Sequence, residues 1–204
     1  TIIDMVQHTR YDCILGSTGG IRAALVQALW HTSQRRAFQK ALIDQPAMRV
    51  VLADLVIESE AATAIALRVG ASLDRAATDE QEAAFMRLAT PLAKYWVCKR
   101  QPGFVYEALE CHGGAGYVEE GPMPRLFRQS PLNAIWEGSG NVMALDVLRV
   151  LKRGPALFER VVAGMEADLG AAGKGTIDVL RAAMQVAVND EGAARILTEQ
   201  LAEG

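Results

Sequence analysis

Long apolar runs are missing from this 204-residue sequence, and no stretch approaches the roughly 20 consecutive apolar residues that a membrane-spanning helix needs. No membrane partner is expected. Aromatic residues make up only 6% of the chain while half of it is hydrophobic, with Ala and Leu abundant. That balance argues against a β-sandwich, which draws on Val, Thr and Tyr, and for packed helices. Cysteine is scarce: Cys13, Cys98 and Cys111 are odd in number, widely spaced and without a Cys-x-x-Cys pair. They read as free thiols of a reducing compartment, so a cytoplasmic protein is expected. His8, His31 and His112 are equally scattered, which excludes a zinc set built on closely spaced ligands. Charge of one sign is lacking too. A formal net charge of -3 provides no electrostatic footprint for nucleic acid or an anionic membrane. No signal-peptide pattern is visible, and the chain opens at Thr1 inside an apolar phrase, Ile2-Ile3-Asp4-Met5-Val6, as a fragment of a longer protein would.

The length suits one well-packed domain with an appendage. Ile21, Ala24, Leu25, Ala28 and Leu29 recur on one face of an α-helix, which is expected to begin near Thr9 and to be weakened at Gly19-Gly20, with Arg35 and Arg36 at its C-terminal end. After a short connection over residues 40–44, Pro46 marks the first turn of a second helix running to about Leu73. Thr78-Asp79-Glu80-Gln81 has capping-box spacing and announces a third, in which Pro91 predicts a kink near Arg87 and Pro102-Gly103 a second break or bend. A last bundle helix spans residues 142–151. Beyond Gly154-Pro155, short amphipathic helices near residues 156–169, 177–188 and 191–201 read as an extension packed less firmly than the bundle, with residues 170–175 flexible. The fold class expected is therefore all-α, an up-and-down four-helix bundle over residues 1–152 with a short helical extension over residues 153–204.

The phrase Glu110-Cys111-His112-Gly113-Gly114-Ala115-Gly116-Tyr117 places three glycines within four positions. Such backbone takes positive φ and approaches a ligand closely, which suits an anion. Farther on, Ile135-Trp136-Glu137-Gly138-Ser139-Gly140-Asn141 sets one carboxylate between an indole and a Gly-Ser-Gly turn. Buried against apolar surface, Glu137 would be a base working near neutral pH. The plainer alternative is a glycine helix cap followed by a turn in which Ser139 caps the next helix.

Together, in order and at their spacing, three phrases resemble the C-terminal domain of the flavin-dependent acyl-CoA dehydrogenases: Arg35-Arg36-Ala37-Phe38-Gln39-Lys40 with Gln45, the glycine phrase, and Trp136-Glu137-Gly138-Ser139-Gly140-Asn141. Thr9-Arg10-Tyr11-Asp12-Cys13, Asp44-Gln45-Pro46 and Met123-Pro124-Arg125-Leu126 point to the AidB-like, alkylation-response branch. The resemblance implies a longer enzyme with an N-terminal helical domain and a middle β-domain ahead of this bundle, assembled as a dimer or tetramer, with FAD as cofactor and an acyl-CoA as substrate. It implies that Glu137 removes the α-proton, the task assigned in the isovaleryl branch to the start of the first helix, where this chain has Thr9. Arg35 would meet the FAD pyrophosphate, with a solvent-exposed arginine as the alternative. Phe38 and Gln45 would lie on the adenine side, and Glu110, Gly113 and Gly114 against the ADP of a neighbouring subunit's FAD. Ser139 and Asn141 would touch the cofactor. Arg10 and Trp136 would stand near the substrate, a buried ion pair being the alternative for Arg10. Gln39 stands where the family has glycine, Glu110 where it has Gln, and Gln129 where an acid follows the arginine. The branch also implies a second function, a DNA-binding flavoprotein with vestigial dehydrogenase activity. Lys152, Arg153, Arg160, Lys174, Arg181 and Arg195 are interspersed with acids, however, so DNA is not the favoured partner.

Overall fold

The structure, a computed structural model, describes residues 2–203. In chain order these form α1 (Ile2–Gln34), a hairpin of β1 (Arg36–Ala37) and β2 (Lys40–Ala41), α2 (Pro46–Arg75), α3 (Glu80–Glu110), α4 (Gly114–Tyr117), α5 (Met123–Gln129), α6 (Gly140–Arg153), α7 (Pro155–Leu169), α8 (Lys174–Asn189) and α9 (Ala194–Glu203). The class is all-α: α1, α2, α3 and α6 are the bundle helices, and α7 to α9 form the extension. No helix among the described residues is long and apolar enough to cross a membrane.

Several local expectations are corrected. Helix α1 begins at Ile2 rather than near Thr9; Gly19-Gly20 lies inside it, as expected. Gly20 has a packing reason to be glycine, since a Cβ there would stand 2.2 Å from Nε2 of Gln101. The connection after α1 is a hairpin in register Arg36↔Ala41 and Ala37↔Lys40, followed by a 3₁₀ turn over Leu42–Asp44. Its two turn residues, Phe38 (φ 50°) and Gln39 (φ 69°), are both left-handed, as the twist of a two-residue hairpin demands. The cap of α3 is Asp79 instead of Thr78: its Oδ1 accepts from the backbone N–H of Gln81 (2.8 Å) and Glu82 (3.2 Å), while the Thr78 hydroxyl turns back to the Arg75 carbonyl. Pro102-Gly103 does not divide the chain into two helices: α3 runs as one helix over 31 residues, through Pro91 as well.

The chain forms two compact units, Thr1–Tyr11 with Arg68–Trp96 and Ala134–Gly204, and Asp12–Leu67 with Val97–Asn133. In the second, Ile14, Ile21, Leu25, Leu52, Leu55, Val97, Phe104 and Val105 are buried. Cys13, Cys98 and Cys111 are buried and form no disulfide with one another. Burial, with help from Glu107 and Glu110, pushes the Cys111 thiol up to about 11, so it stays protonated and unreactive at neutral pH.

In the first unit, Glu82 on the first turn of α3 accepts from Ser72, Arg68 and Arg75 of α2. The Ser72 hydroxyl and then the Arg68 guanidinium bring its carboxyl down to about 2. The core of this unit corrects the reading of the extension as loosely packed. Leu88 and Tyr95 of α3 and Met143, Val147, Leu148 and Leu151 of α6 share one cluster with Phe158, Val162, Ile177, Leu180, Leu197 and Leu201 of α7 to α9. Residues 170–173 form a 3₁₀ turn, after which α8 begins at once. Leu197 is fully buried, so Leu197→Ala is expected to lower the unfolding free energy by about 2–5 kcal/mol. A urea titration reads this as a lower midpoint at unchanged slope; a change within about 0.5 kcal/mol would show that α9 lies outside the core.

Candidate active site

The expected site residues fall into two groups, one in each unit. The first is the loop that enters α6. Glu137 has φ 55°, left-handed backbone that costs a non-glycine residue about 1–2 kcal/mol, and Gly138 follows at φ 112°. A Cβ at 138 would lie 2.5 Å from the terminal methyl of Met143, which would have to shift, so it is chiefly φ that calls for glycine there. What holds the loop is a set of donors aimed at three consecutive carbonyls. Nζ of Lys94 donates to the carbonyls of Trp136 (2.9 Å) and Gly138 (2.8 Å), and Nε of Arg10 donates to that of Glu137 (3.3 Å). Because the carbonyls turn inward, the side chains turn out. Glu137 is exposed, as are Trp136 at 52% and Ile135 at 64%, so the burial expected of the carboxylate is not supplied by this chain. Oε2 of Glu137 accepts from the Thr9 hydroxyl at 2.8 Å.

Arg10 itself is anchored by Asp146 of α6. This carboxylate, 4% exposed, binds Nη1 of Arg10 at 2.6 Å, both Nη atoms of Arg87 at 2.8 and 3.1 Å, and Arg149 at 3.1 Å. Burial would raise its pKa, but the hydrogen bonds from Arg87 and Arg10 outweigh burial and hold the carboxyl below its usual range. The ion-pair alternative for Arg10 is thus realised in the structure. Ser139 stands at the N-cap position of α6 but its hydroxyl makes no cap bond, and Oδ1 of Asn141 accepts from Arg195 of α9 at 3.5 Å.

The second group surrounds the hairpin and the end of α3. Arg35 follows α1 directly, its N–H bonded to the His31 carbonyl and its carbonyl to the Leu42 N–H. Phe38, at the hairpin tip, is 91% exposed, and Nε2 of Gln45 donates to the Ala37 carbonyl beneath it at 3.1 Å. Glu110 is exposed at the last residue of α3. Gly113 has φ 58° and ψ -142°, backbone open essentially to glycine alone, and around both Gly113 and Gly114 the space a Cβ would take is empty. Gly116 differs: a Cβ there would lie 2.4 Å from the Leu109 carbonyl oxygen, so this glycine serves packing. The imidazoles of His31 and His112 stack with centroids 4.7 Å apart, joining the end of α1 to the glycine turn. Burial first, then the charges of His112 and Arg35, lower the pKa of His31.

The motif reading found both backbone features but missed Thr9 as a partner of Glu137, and Lys94, Arg87, Asp146 and the histidine stack altogether. Two of these left a signal. Lys94 interrupts the apolar run Leu92-Ala93-Lys94-Tyr95-Trp96, and Asp146 interrupts the core face of α6. A lone charge in such a position needs a partner.

Residues 1–152 match the acyl-CoA dehydrogenase C-terminal domain, and the chain belongs to that family. Over 158 residues, 78% of the chain, it is 48% identical to the putative acyl-CoA dehydrogenase AidB of Escherichia coli K12, spanning 29% of that protein. It is 31% identical over 152 residues to acyl-CoA dehydrogenase family member 11 of Caenorhabditis elegans, 73% of this chain and 25% of that one. Among solved structures, the apo form of Bd2924 superposes with a TM-score of 0.90 at 28% identity, covering 98% of this chain and 40% of that one. The chain therefore spans well under half the length of these relatives.

Replacing Asp146 leaves Arg10 and Arg87 without their shared anion, so Asp146→Asn is expected to cost about 2–3 kcal/mol, a figure reduced because Arg87 and Arg149 are partly solvated. A depressed carboxyl contributes its full stability above its ordinary pKa and loses it as pH falls through the folded value. The gap between wild type and variant should accordingly be complete near neutral pH and narrow below about pH 4 in urea titrations.

Proposed function

We propose that the chain contributes the catalytic base and part of the flavin site to an FAD-dependent acyl-CoA dehydrogenase, with Glu137 removing the α-proton of an acyl-CoA thioester. The observation that carries this reading is the pinned, left-handed Glu137: strain in a loop, fixed by a buried lysine and an anchored arginine, with the carboxylate presented outward. The position assigned to the base in the isovaleryl branch is Thr9 here, and the Thr9 hydroxyl reaches the Glu137 carboxylate, so two alternative origins of the base converge on one place. An α-proton beside a thioester is weakly acidic, which requires the base to be held at its target and shielded from water. In this reading the shield comes from the substrate and from the part of a longer protein that this chain does not span.

The residues fit the cofactor. FAD, when bound, would supply the acceptor for the β-hydride. Arg35 offers a guanidinium fork to the pyrophosphate, Phe38 an exposed ring to stack on a flat heterocycle, and Gly113-Gly114 a backbone surface open to close approach. Ser139, at the N-cap of α6, and Asn141, on its first turn, follow Glu137 closely in the chain. The glycine cradle and the base sit in separate units, in keeping with a cradle that serves the FAD of a second subunit in a dimer or tetramer. One solved relative of the same fold, ACDH-11 of C. elegans, is a complex with C11-CoA. An acyl-CoA is the substrate class proposed here, in a cytoplasmic enzyme. Two cations of the tail are neutralised, Arg181 by Glu159 and Glu166 and Arg195 by Glu199, which weighs against the DNA-binding reading.

In the full-length protein, Glu137→Gln should leave the flavin bound and reduce turnover with an acyl-CoA by about 10²–10⁴-fold. Full turnover by a flavin-bearing variant would remove Glu137 from the role. Gly114→Ala should leave the melting temperature unchanged and weaken flavin binding at least tenfold, since the added methyl enters only the space reserved for the ligand.

A further inference from the structure

We infer that Lys94 is a positioning residue for Glu137, acting on the peptide backbone on either side of it; the catalytic part of this inference rests on the function proposed above. Lys94 lies on α3, with 1% of its surface exposed, and is among the largest fully buried side chains of the molecule. Lysine is seldom buried so completely without a specific reason. Its Nζ spans residue 137, donating to the carbonyl before it at 2.9 Å and to the carbonyl after it at 2.8 Å.

The effect of that bridge follows from backbone geometry. Two carbonyls separated by one residue can face a common donor only if the chain between them bends sharply, and the bend falls on Glu137, with φ 55°, and Gly138, with φ 112°. A glycine at 137 would adopt that bend without strain, but a glycine carries no carboxylate. The site needs an acid in backbone that an acid avoids, and Lys94 supplies the restraint. Arg10 adds a weaker bond to the intervening carbonyl and is itself committed to Asp146. Lys94 reaches the loop from α3 while Thr9 and Arg10 reach it from α1, so the carboxylate is fixed relative to two bundle helices. Removing Lys94 would let residue 137 relax to negative φ, which swings the carboxylate away from the Thr9 hydroxyl.

The test combines a stability cycle with kinetics. In the 204-residue chain, Glu137→Gly relieves the left-handed strain only while Lys94 enforces it. Its effect on the melting temperature should therefore be more favourable in the wild-type background than in Lys94→Met by about 2–4 °C. If Lys94→Met does not fold, Lys94→Gln, which keeps an uncharged NH2 donor group on a shorter stem, takes its place in the same cycle. Equal shifts in the two backgrounds would overturn the positioning role whatever the kinetics show. In the full-length flavoprotein, Lys94→Met should lower kcat at least 30-fold with KM changed less than threefold, and Lys94→Arg should recover most of the loss. A Lys94→Met enzyme with wild-type kcat would also overturn the proposal. If instead Glu137→Gln keeps full turnover, the base assignment fails while a positive stability cycle still establishes that Lys94 holds residue 137.

Discussion

Three consecutive carbonyls, those of Trp136, Glu137 and Gly138, face donors from two different helices, and the rest of the candidate site depends on that arrangement. Buried polar groups tolerate few alternatives, because a carbonyl turned away from its donor leaves both groups unsatisfied. The arrangement therefore has two effects at once. It sets the left-handed backbone at Glu137, and it sends the side chains of residues 135–137 outward, since the inward direction is taken by the main chain. The Asp146 cluster extends the same logic one step: without its anion, Arg10 would have no reason to stand beside the loop, and Asp146 itself sits on α6 among Met143, Val147 and Leu148 of the core. The core positions an anion, the anion positions a guanidinium, and the guanidinium positions a peptide.

Gly113, Gly114, Gly116 and Gly138 divide by what surrounds them. Gly116 has a backbone oxygen where a Cβ would go and is accounted for by packing, while Gly138 is accounted for by its positive φ. Gly113 and Gly114 face open space, and of these four they are the candidates for approach by a ligand. Read as letters, all four looked alike, and three of them looked like one cradle. The empty volume around two of them is what separates a ligand surface from a tight turn.

Much of the fold was legible because helical periodicity is a local property: the apolar faces of α1, α2 and α6 could be read from i, i+3, i+4 spacing alone. The hairpin was not legible, since two-residue strands carry no pattern, and Gln39 replaces the glycine that would have announced the turn. Asp79 and Thr78 are adjacent and both able to cap, so only geometry could choose between them. Pro102-Gly103 reads as a break or bend by a rule for isolated helices, yet α3 continues through it as one helix. At the site, the family resemblance singled out Glu137, Arg35 and the glycines, but the burial expected of Glu137 was an inference from apolar neighbours in sequence. Ile135 and Trp136 are themselves exposed, so they cover nothing. Thr9, Lys94 and Asp146 lie 128, 43 and 9 residues from Glu137 in sequence, and no local motif joins such positions.

The extension has a structural tie to the same loop. The Tyr95 hydroxyl, 3% exposed and next in sequence to Lys94, bonds Glu199 and Arg195 of α9, and Arg195 reaches on to Asn141 at the start of α6. Burial, and then the hydrogen bond to Glu199, push the phenol above its usual range, so it remains a protonated donor throughout the neutral range. Adjacent residues of α3 thus make different connections: Lys94 to the loop before α6, Tyr95 to the last helix of the chain. Because successive residues of a helix are about 100° apart, the two contacts lie on different sides of α3 and restrain its rotation as well as its position. On the proposed reading, α9 stabilises the helix from which the glutamate is held, which gives the extension a part in the site without contributing a reacting group.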